Sequence, residues 1–244
     1  MITHFARDDG FGAQYQTILF SIIYADIMNK EYCYVPFSKM AHNYDGDPEF
    51  LEKKERLIGL RDIFPGQTEE ITSGQIYPIV ENYLGNLGDC EQFQIAKTHF
   101  QNINYRIYHN YNKDYGNYNV ALHFRNVNSH DIGDYGYVKF DFFAEKVKQR
   151  ISEIKKWQTY LNITFHIYSQ GDLAQFEPHL KDLDCQIVYH LDESVEDTFR
   201  GMVFANELFM SKSSLSYCAG LLNIGIVHYL PFWHKPEPRW LVME

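Results

Sequence analysis

The sequence predicts an α/β fold: a mostly parallel sheet with helices on both faces. Two observations carry the prediction. The second half alternates short apolar runs with longer helical patterns, which is how βαβ units read along a chain. The first forty residues spell a β-loop-α-β unit of their own. Length agrees with this: 244 residues at about 150 per domain make one large or two small domains. Apolar residues are 45% and charged residues 22%, which is ordinary globular usage and argues against disorder.

The elements follow in order. Ile2 to Ala6 is a strand candidate, and a Gly-containing turn, Asp8-Asp9-Gly10-Phe11-Gly12, follows it. From Ala13 to about Met28 the apolar residues Tyr15, Ile18, Leu19, Ile22, Ile23 and Ile27 recur at helical spacing. Glu31 to Phe37 reads as a second strand, and residues 48–60 as a helix with Pro48 in its first turn. From about 65 to 115 no period dominates. Tyr111 to Asn119 is polar and rich in Asn and Gly, and reads as a linker between residues 1–115 and 116–244. The second half is plainer. Strands are expected at Val120–Arg125, Ile163–Ser169, Gln186–His190, Leu208–Met210 and Ile224–Leu230. Helices are expected at Asp141–Trp157, Leu173–Leu180, Val195–Asn206 and Ser213–Leu222.

Charge excludes some partners. Lys and Arg number 22 against 32 Asp and Glu, a net charge of −10, so a broad nucleic-acid surface is excluded and an anionic membrane surface is disfavoured. One or two local arginines still suffice for a small phosphorylated ligand. No apolar run reaches 18 residues, so no transmembrane segment is expected. The opening MITHFARDDG lacks the basic and apolar regions of a signal peptide. Cys33, Cys90, Cys185 and Cys218 are far apart and have no metal-ligand spacing. They read as reduced thiols, and the expected location is cytoplasmic. The 19 Tyr and 18 Phe suit half-wet clefts or sugar-facing walls, though a compositional bias explains them equally well.

In parallel sheets ligands sit beyond the carboxyl ends of the strands. Three segments fall there. Arg125 ends VALHFR, with Ala121 and His123 on its face of the strand. A guanidinium so placed suits a diphosphate; the ordinary alternative is a surface Arg paired with a carboxylate. His123 is either a hydrogen-bonded core histidine or part of that site. Ser211-Lys212-Ser213-Ser214-Leu215-Ser216 opens a helix, where free N–H groups and hydroxyls make a phosphate cradle or a plain N-cap. Ser169-Gln170-Gly171-Asp172 follows a strand and either reads the edge of a base or supplies Asp172 as a cap. Asp9-Gly10-Phe11-Gly12 lacks a full GxGxxG, so NAD binding has little support, but its glycines let backbone approach a ligand closely.

Taken together these segments resemble the fucosyltransferase superfamily: the α-1,2- and α-1,6-, nodulation and protein O-fucosyltransferases. Asp9-Gly10-Phe11-Gly12-Ala13-Gln14 is similar to its G-G-L-G-N-Q loop. His123-Phe124-Arg125-Asn126-Val127-Asn128 is similar to its H-x-R-R-x-D signature. Ser213-Ser214-Leu215-Ser216 is similar to its last, Ser-rich signature, and Asp197-Thr198-Phe199 is also in character. The matches come in family order and span nearly the whole chain. Asn126 stands where the family has a second Arg, Asn128 where it has Asp, Asp9 for a Gly and Ala13 for an Asn.

The resemblance implies a GT-B-like fold, two Rossmann-like halves with mostly parallel sheets and an interdomain cleft. Residues 1–115 would be the acceptor side and 116–244 the nucleotide-sugar side. It implies inverting, metal-independent transfer of a sugar, GDP-fucose being the first donor to test, to a glycan hydroxyl. The nucleoside-diphosphate sugar is a co-substrate and no cofactor is expected. Another donor such as UDP- or GDP-rhamnose, or a non-catalytic carbohydrate-binding role, are the alternatives. By carry-over, Arg125 holds the diphosphate; Ser213, Ser214, Leu215 and Ser216 complete its cradle; Gly10, Gly12 and Gln14 face the sugar; His123, Asn126 and Asn128 belong to the donor site. Ser169, Gln170 and Asp172 contact the base. The general base is sought in the loop after the signature, with Asp131 ahead of Asp134, or at Asp8 and Asp9 in the first loop.

Overall fold

The structure, a computed structural model, describes residues 1–64, 66, 70–111, 116–126 and 138–244. The chain forms two compact units. Unit 1 holds Met1–His109 and Lys235–Arg239, and unit 2 holds Asn110–His234 and Trp240–Glu244.

Unit 2 is an α/β layer around a six-stranded sheet. Its strands are β1 (Tyr118–His123), β2 (Ile163–Ser169), β3 (Gln186–Leu191), β4 (Glu207–Phe209), β5 (Ile226–Tyr229) and β6 (Leu241–Val242). All pairs are parallel, in the order β3-β2-β1-β4-β5-β6. This is the order of doubly wound nucleotide-binding sheets. Period-two alternation divides β1: Val120 and Leu122 join the core on one face, Ala121 and His123 point to the other. The core face packs against Phe143, Val147 and Ile151 of a helix at Phe140–Trp157 and against Phe165 and Ile167 of β2.

Unit 1 is mainly helical: α1 (Phe11–Ile27), α2 (Phe50–Ile58), α3 (Ile76–Tyr83) and α4 (Glu91–Tyr111). Unit 2 adds α5 (Phe140–Trp157), α6 (Glu177–Leu180), α7 (Val195–Phe204) and α8 (Ser214–Leu222).

Several expectations need correction. The strands foreseen at Ile2–Ala6 and Glu31–Phe37 shrink to isolated parallel bridges, Ile2 with Tyr32 and Thr3 with Ile71. The reason lies in where the backbone donors of the second segment go. Tyr32 N–H donates to Gln92 Oε1 at 2.7 Å and Phe37 N–H to Glu55 Oε1 at 2.7 Å, while Pro36 has none to give. Cys33 N–H still reaches Ile2 O at 2.8 Å and Tyr34 N–H reaches Phe64 O at 3.2 Å, so pairing survives only as single bonds between these diversions. The strand foreseen as Val120–Arg125 ends at His123, because Phe124 O accepts from Ser169 Oγ (2.9 Å) and pairing stops there. The linker foreseen at Tyr111–Asn119 is shorter: Tyr111 closes α4 and Tyr118 and Asn119 open β1. The short helix foreseen at Leu173–Leu180 is a 3-10 turn, Leu173–Gln175, followed by α6.

Among the described residues no helix is long and apolar enough to cross a membrane.

Candidate functional site

The strand order reverses between β1 and β4, and such sheets bind ligands in the crevice outside the carboxyl ends at that reversal. Two adjacent strand ends meet there. His123, the last residue of β1, and Ser211, two residues beyond β4, share a hydrogen bond between Nδ1 and Oγ at 3.1 Å. His123 is buried, and burial together with the nearby positive charge of Arg125 pushes its pKa down to about 4. At neutral pH it is an uncharged hydrogen-bonding imidazole rather than a cation.

Arg125 follows two residues later and is half-buried. Phe124 anchors the chain just before it. The Phe124 ring is sealed edge-on against Phe140 (5.2 Å), Phe143 (5.8 Å) and Phe176 (5.9 Å). Its N–H donates to Tyr168 O at 3.0 Å. A residue so fixed gives the next one a defined starting direction.

Asn126 ties this loop to the one after β2. Its Nδ2 donates to Gln170 O (3.0 Å) and Gln175 Oε1 (2.8 Å). Gly171, at φ +105°, permits the contact: a Cβ there would lie 2.9 Å from Asn126 Nδ2. Asp172 accepts from Ala174 N–H at 2.9 Å and so caps the 3-10 turn. Ser169 is held to Phe124 O, and Gly171 N–H donates to Asp192 Oδ2 at 3.3 Å.

On the β4 side, Ser213 is the N-cap of α8 and its Oγ accepts from Leu215 N–H at 3.2 Å. That bond leaves the Ser213 hydroxyl proton available to donate. Ser216 is fully buried and donates to Ser211 O and Ser213 O, both at 3.2 Å, so its hydroxyl serves the helix start. Ser214 and Leu215 lie half-buried in the first turn. The Ser-rich run is thus partly a cap, as an isolated reading of it allows. Ser194 caps α7 in the same manner, accepting from Asp197 N–H at 3.1 Å.

In unit 1, Gly10 is the N-cap of α1 and Gly12 lies in its first turn; no side chain caps this end. Gln14 points back and donates to Asp9 O (2.7 Å) and Lys39 O (2.9 Å), which makes it a loop staple. Asn128, Asp131 and Asp134 lie outside the described residues.

Two polar networks escaped the sequence reading. His166 and His190 face each other at 3.0 Å, flanked by Asn119 and Glu193. Glu207, buried at the start of β4, accepts from Tyr118 OH (2.7 Å), His228 Nε2 (2.7 Å) and Arg150 Nε (2.8 Å). Burial pushes the Glu207 carboxyl up, but the bonds from His228, Arg150 and Tyr118 outweigh it and leave its pKa at about 2. Period two hides such clusters, because their members come from three or four distant segments. Among the described residues no group of three His, Cys, Asp or Glu side chains is arranged to hold a metal ion.

No family model and no curated protein matches the chain. Solved structures do. POFUT1 in complex with GDP-fucose is 9% identical, with a TM-score of 0.50 over 91% of this chain and 93% of that one. NodZ alpha-1,6-fucosyltransferase soaked with GDP-fucose is 12% identical, with a TM-score of 0.47 over 91% and 92%. Arabidopsis thaliana FUT1 in complex with GDP is 12% identical, with a TM-score of 0.43 over 98% and 73%. At 9% identity the likeness to POFUT1 is one of fold. The fold of this chain is fucosyltransferase-like.

Proposed function

We propose that this chain is an inverting, metal-independent glycosyltransferase that moves a sugar from a nucleoside-diphosphate donor, GDP-fucose first among the candidates, to a glycan hydroxyl. In this reading residues 116–244 take the donor and residues 1–115 the acceptor. The observation that supports it best is the His123–Ser211 bond between neighbouring strand ends. It brings the segment bearing Arg125 and the start of α8 to the same reversal of the sheet. A guanidinium and a helix N-terminus meeting at one crevice suit a pyrophosphate.

The chemistry follows from the charge. The acceptor oxygen attacks C1 and forms the new C–O bond. The bond from C1 to the β-phosphate oxygen breaks, and the nucleoside diphosphate leaves with the electron pair. Negative charge grows on the leaving phosphate, so preorganised Arg125 and helix N–H groups stabilise the transition state more than the ground state. Neutral His123 holds Ser211 in place beside them. Asn126 supplies no charge in this reading: its amide keeps the loops after β1 and β2 in register.

Thermal shift with GDP, UDP and ADP, followed by assay of GDP release from GDP-fucose, tests the reading. GDP at a hundred times its dissociation constant should add about 2.7 kcal/mol of stability. Failure of every nucleoside diphosphate to bind, with no GDP released, would contradict it.

A further inference from the structure

We propose that Lys212 is a second cation for the pyrophosphate of the donor, acting beside Arg125; the inference deepens the glycosyltransferase reading and rests on it. Every residue it needs lies in unit 2. From Leu208 to Val227 the chain passes through the end of β4, all of α8 and the turn into β5, and Lys212 is its only charged residue. β4 lies beside β1, across the reversal of strand order. Lys212 follows Ser211, whose Oγ bonds His123 at the end of β1, and precedes Ser213, the N-cap of α8.

The backbone that carries Lys212 is fixed on both sides. Ser213 N–H donates to Ser211 O at 2.8 Å, so residues 211–213 close a three-residue turn with Lys212 at its centre. Ser216 Oγ donates to Ser211 O and Ser213 O, both at 3.2 Å, and Tyr217 N–H donates to Ser213 O at 3.0 Å. Ser211 and Ser213 are buried, and Lys212 between them is half-buried. Among the described residues no carboxylate pairs with its ammonium and no polar group bonds it. A cation drawn partly out of water without a counter-ion costs free energy, and an anion bound at this crevice would offset that cost.

The charges along this edge of the sheet are sorted. Among the described residues Arg125 is the only charged residue that follows β1, and the amide of Asn126 is committed to Gln170 O and Gln175 Oε1. Lys212 follows β4, and residues 230–234, which follow β5, include no carboxylate. The acids stand on the other side: Asp172 after β2, and Asp192 and Glu193 after β3. Each has a local partner, in Ala174 N–H, Gly171 N–H and His190 Nδ1. Positive charge is thus gathered at the reversal, and negative charge lies toward β2 and β3. Cations on two neighbouring strand ends match the two phosphates of a nucleoside diphosphate, Arg125 as a fork and Lys212 as a point charge.

The test uses the full chain with GDP and guanosine as probes, calorimetry for affinity and circular dichroism as the check on folding. Lys212→Gln, which stays polar but loses the charge, should weaken GDP about 10-fold or more and leave guanosine within about twofold of wild type. Its GDP affinity should also depend less steeply on salt. Lys212→Arg, which keeps the charge, should bind GDP better than Lys212→Gln. Unchanged GDP affinity in Lys212→Gln, an equal loss for guanosine, or loss of the fold would overturn the assignment. Wild-type protein that binds no nucleoside diphosphate would overturn the underlying reading instead, so the two failures are distinct.

Discussion

The two units satisfy their buried backbone in different ways. In unit 2, six parallel strands bond to one another, and in one buried polar cluster Glu207 is satisfied wholly by the side chains of Arg150, His228 and Tyr118. In unit 1, three extended segments touch at two bridges only, and side chains stand in for strands: Gln92 and Glu55 take the N–H groups of Tyr32 and Phe37. Each unit buries one glutamate with a Tyr hydroxyl and an Arg. Glu55 accepts from Tyr34 OH at 2.9 Å and Arg61 Nε at 3.0 Å, yet it also holds backbone, whereas Glu207 holds only side chains. Side chains hold backbone in unit 2 as well, as Asn223 Nδ2 does with Met202 O, Val203 O and Ala205 O, but there they do so beside a ladder, whereas in unit 1 they stand where a ladder would be.

Breaking each arrangement sharpens the contrast. Glu207→Ala leaves the Arg150 guanidinium and buried His228 without their shared acceptor, and should destabilise by about 3–5 kcal/mol. Urea unfolding measures the loss, and hydrogen exchange should show it confined to unit 2. The same carboxyl sets an acid limit. Its folded pKa of about 2 lies below the ordinary glutamate value, so its contribution is complete above about pH 4.5. That contribution falls away as pH drops towards 2, and Glu207→Gln should flatten that part of the stability profile.

In unit 1 the effects are smaller and more local. Glu55→Ala removes a charged acceptor from one backbone and two side-chain donors and should cost about 1.5–3 kcal/mol. Amide exchange at Phe37 should accelerate before that of α1. Gln92→Ala orphans the Tyr32 N–H, which lies in a buried residue, at about 1–3 kcal/mol. Equal protection of Tyr32 in mutant and wild type would show that the bridge to Ile2, rather than the side chain, holds this segment. Smallest is Ser213→Ala, which removes the α8 cap and should lower stability by about 1 kcal/mol in a thermal melt.

Legibility in the sequence follows the same division. β2 was legible to the residue and α5 to within one, because their apolar periods face a single core. In α4 the buried stripe Phe93, Ala96, Phe100, Asn104 and Tyr108 has helical spacing, but it includes a polar Asn104 whose amide bonds Leu57 O and Phe100 O. Exposed Ile95, Tyr105 and Ile107 blur it further, and the 21-residue helix went unread. The short strands of unit 1 were over-read, because their apolar residues are real while the N–H groups of Tyr32 and Phe37 go to side chains and Pro36 has none. β6 was missed because two half-exposed residues, Leu241 and Val242, carry no pattern. At the site, the position of Arg125 near a strand end was legible from alternation. The His123–Ser211 bond was not, since strand order is a long-range property.

Calorimetric titration of GDP into wild type and Arg125→Ala is the most direct measurement. Charge-assisted bonds of about 1.5–3 kcal/mol predict affinity weaker by about 10- to 150-fold. Equal GDP affinity in the two proteins would remove the guanidinium from the pyrophosphate and contradict the account.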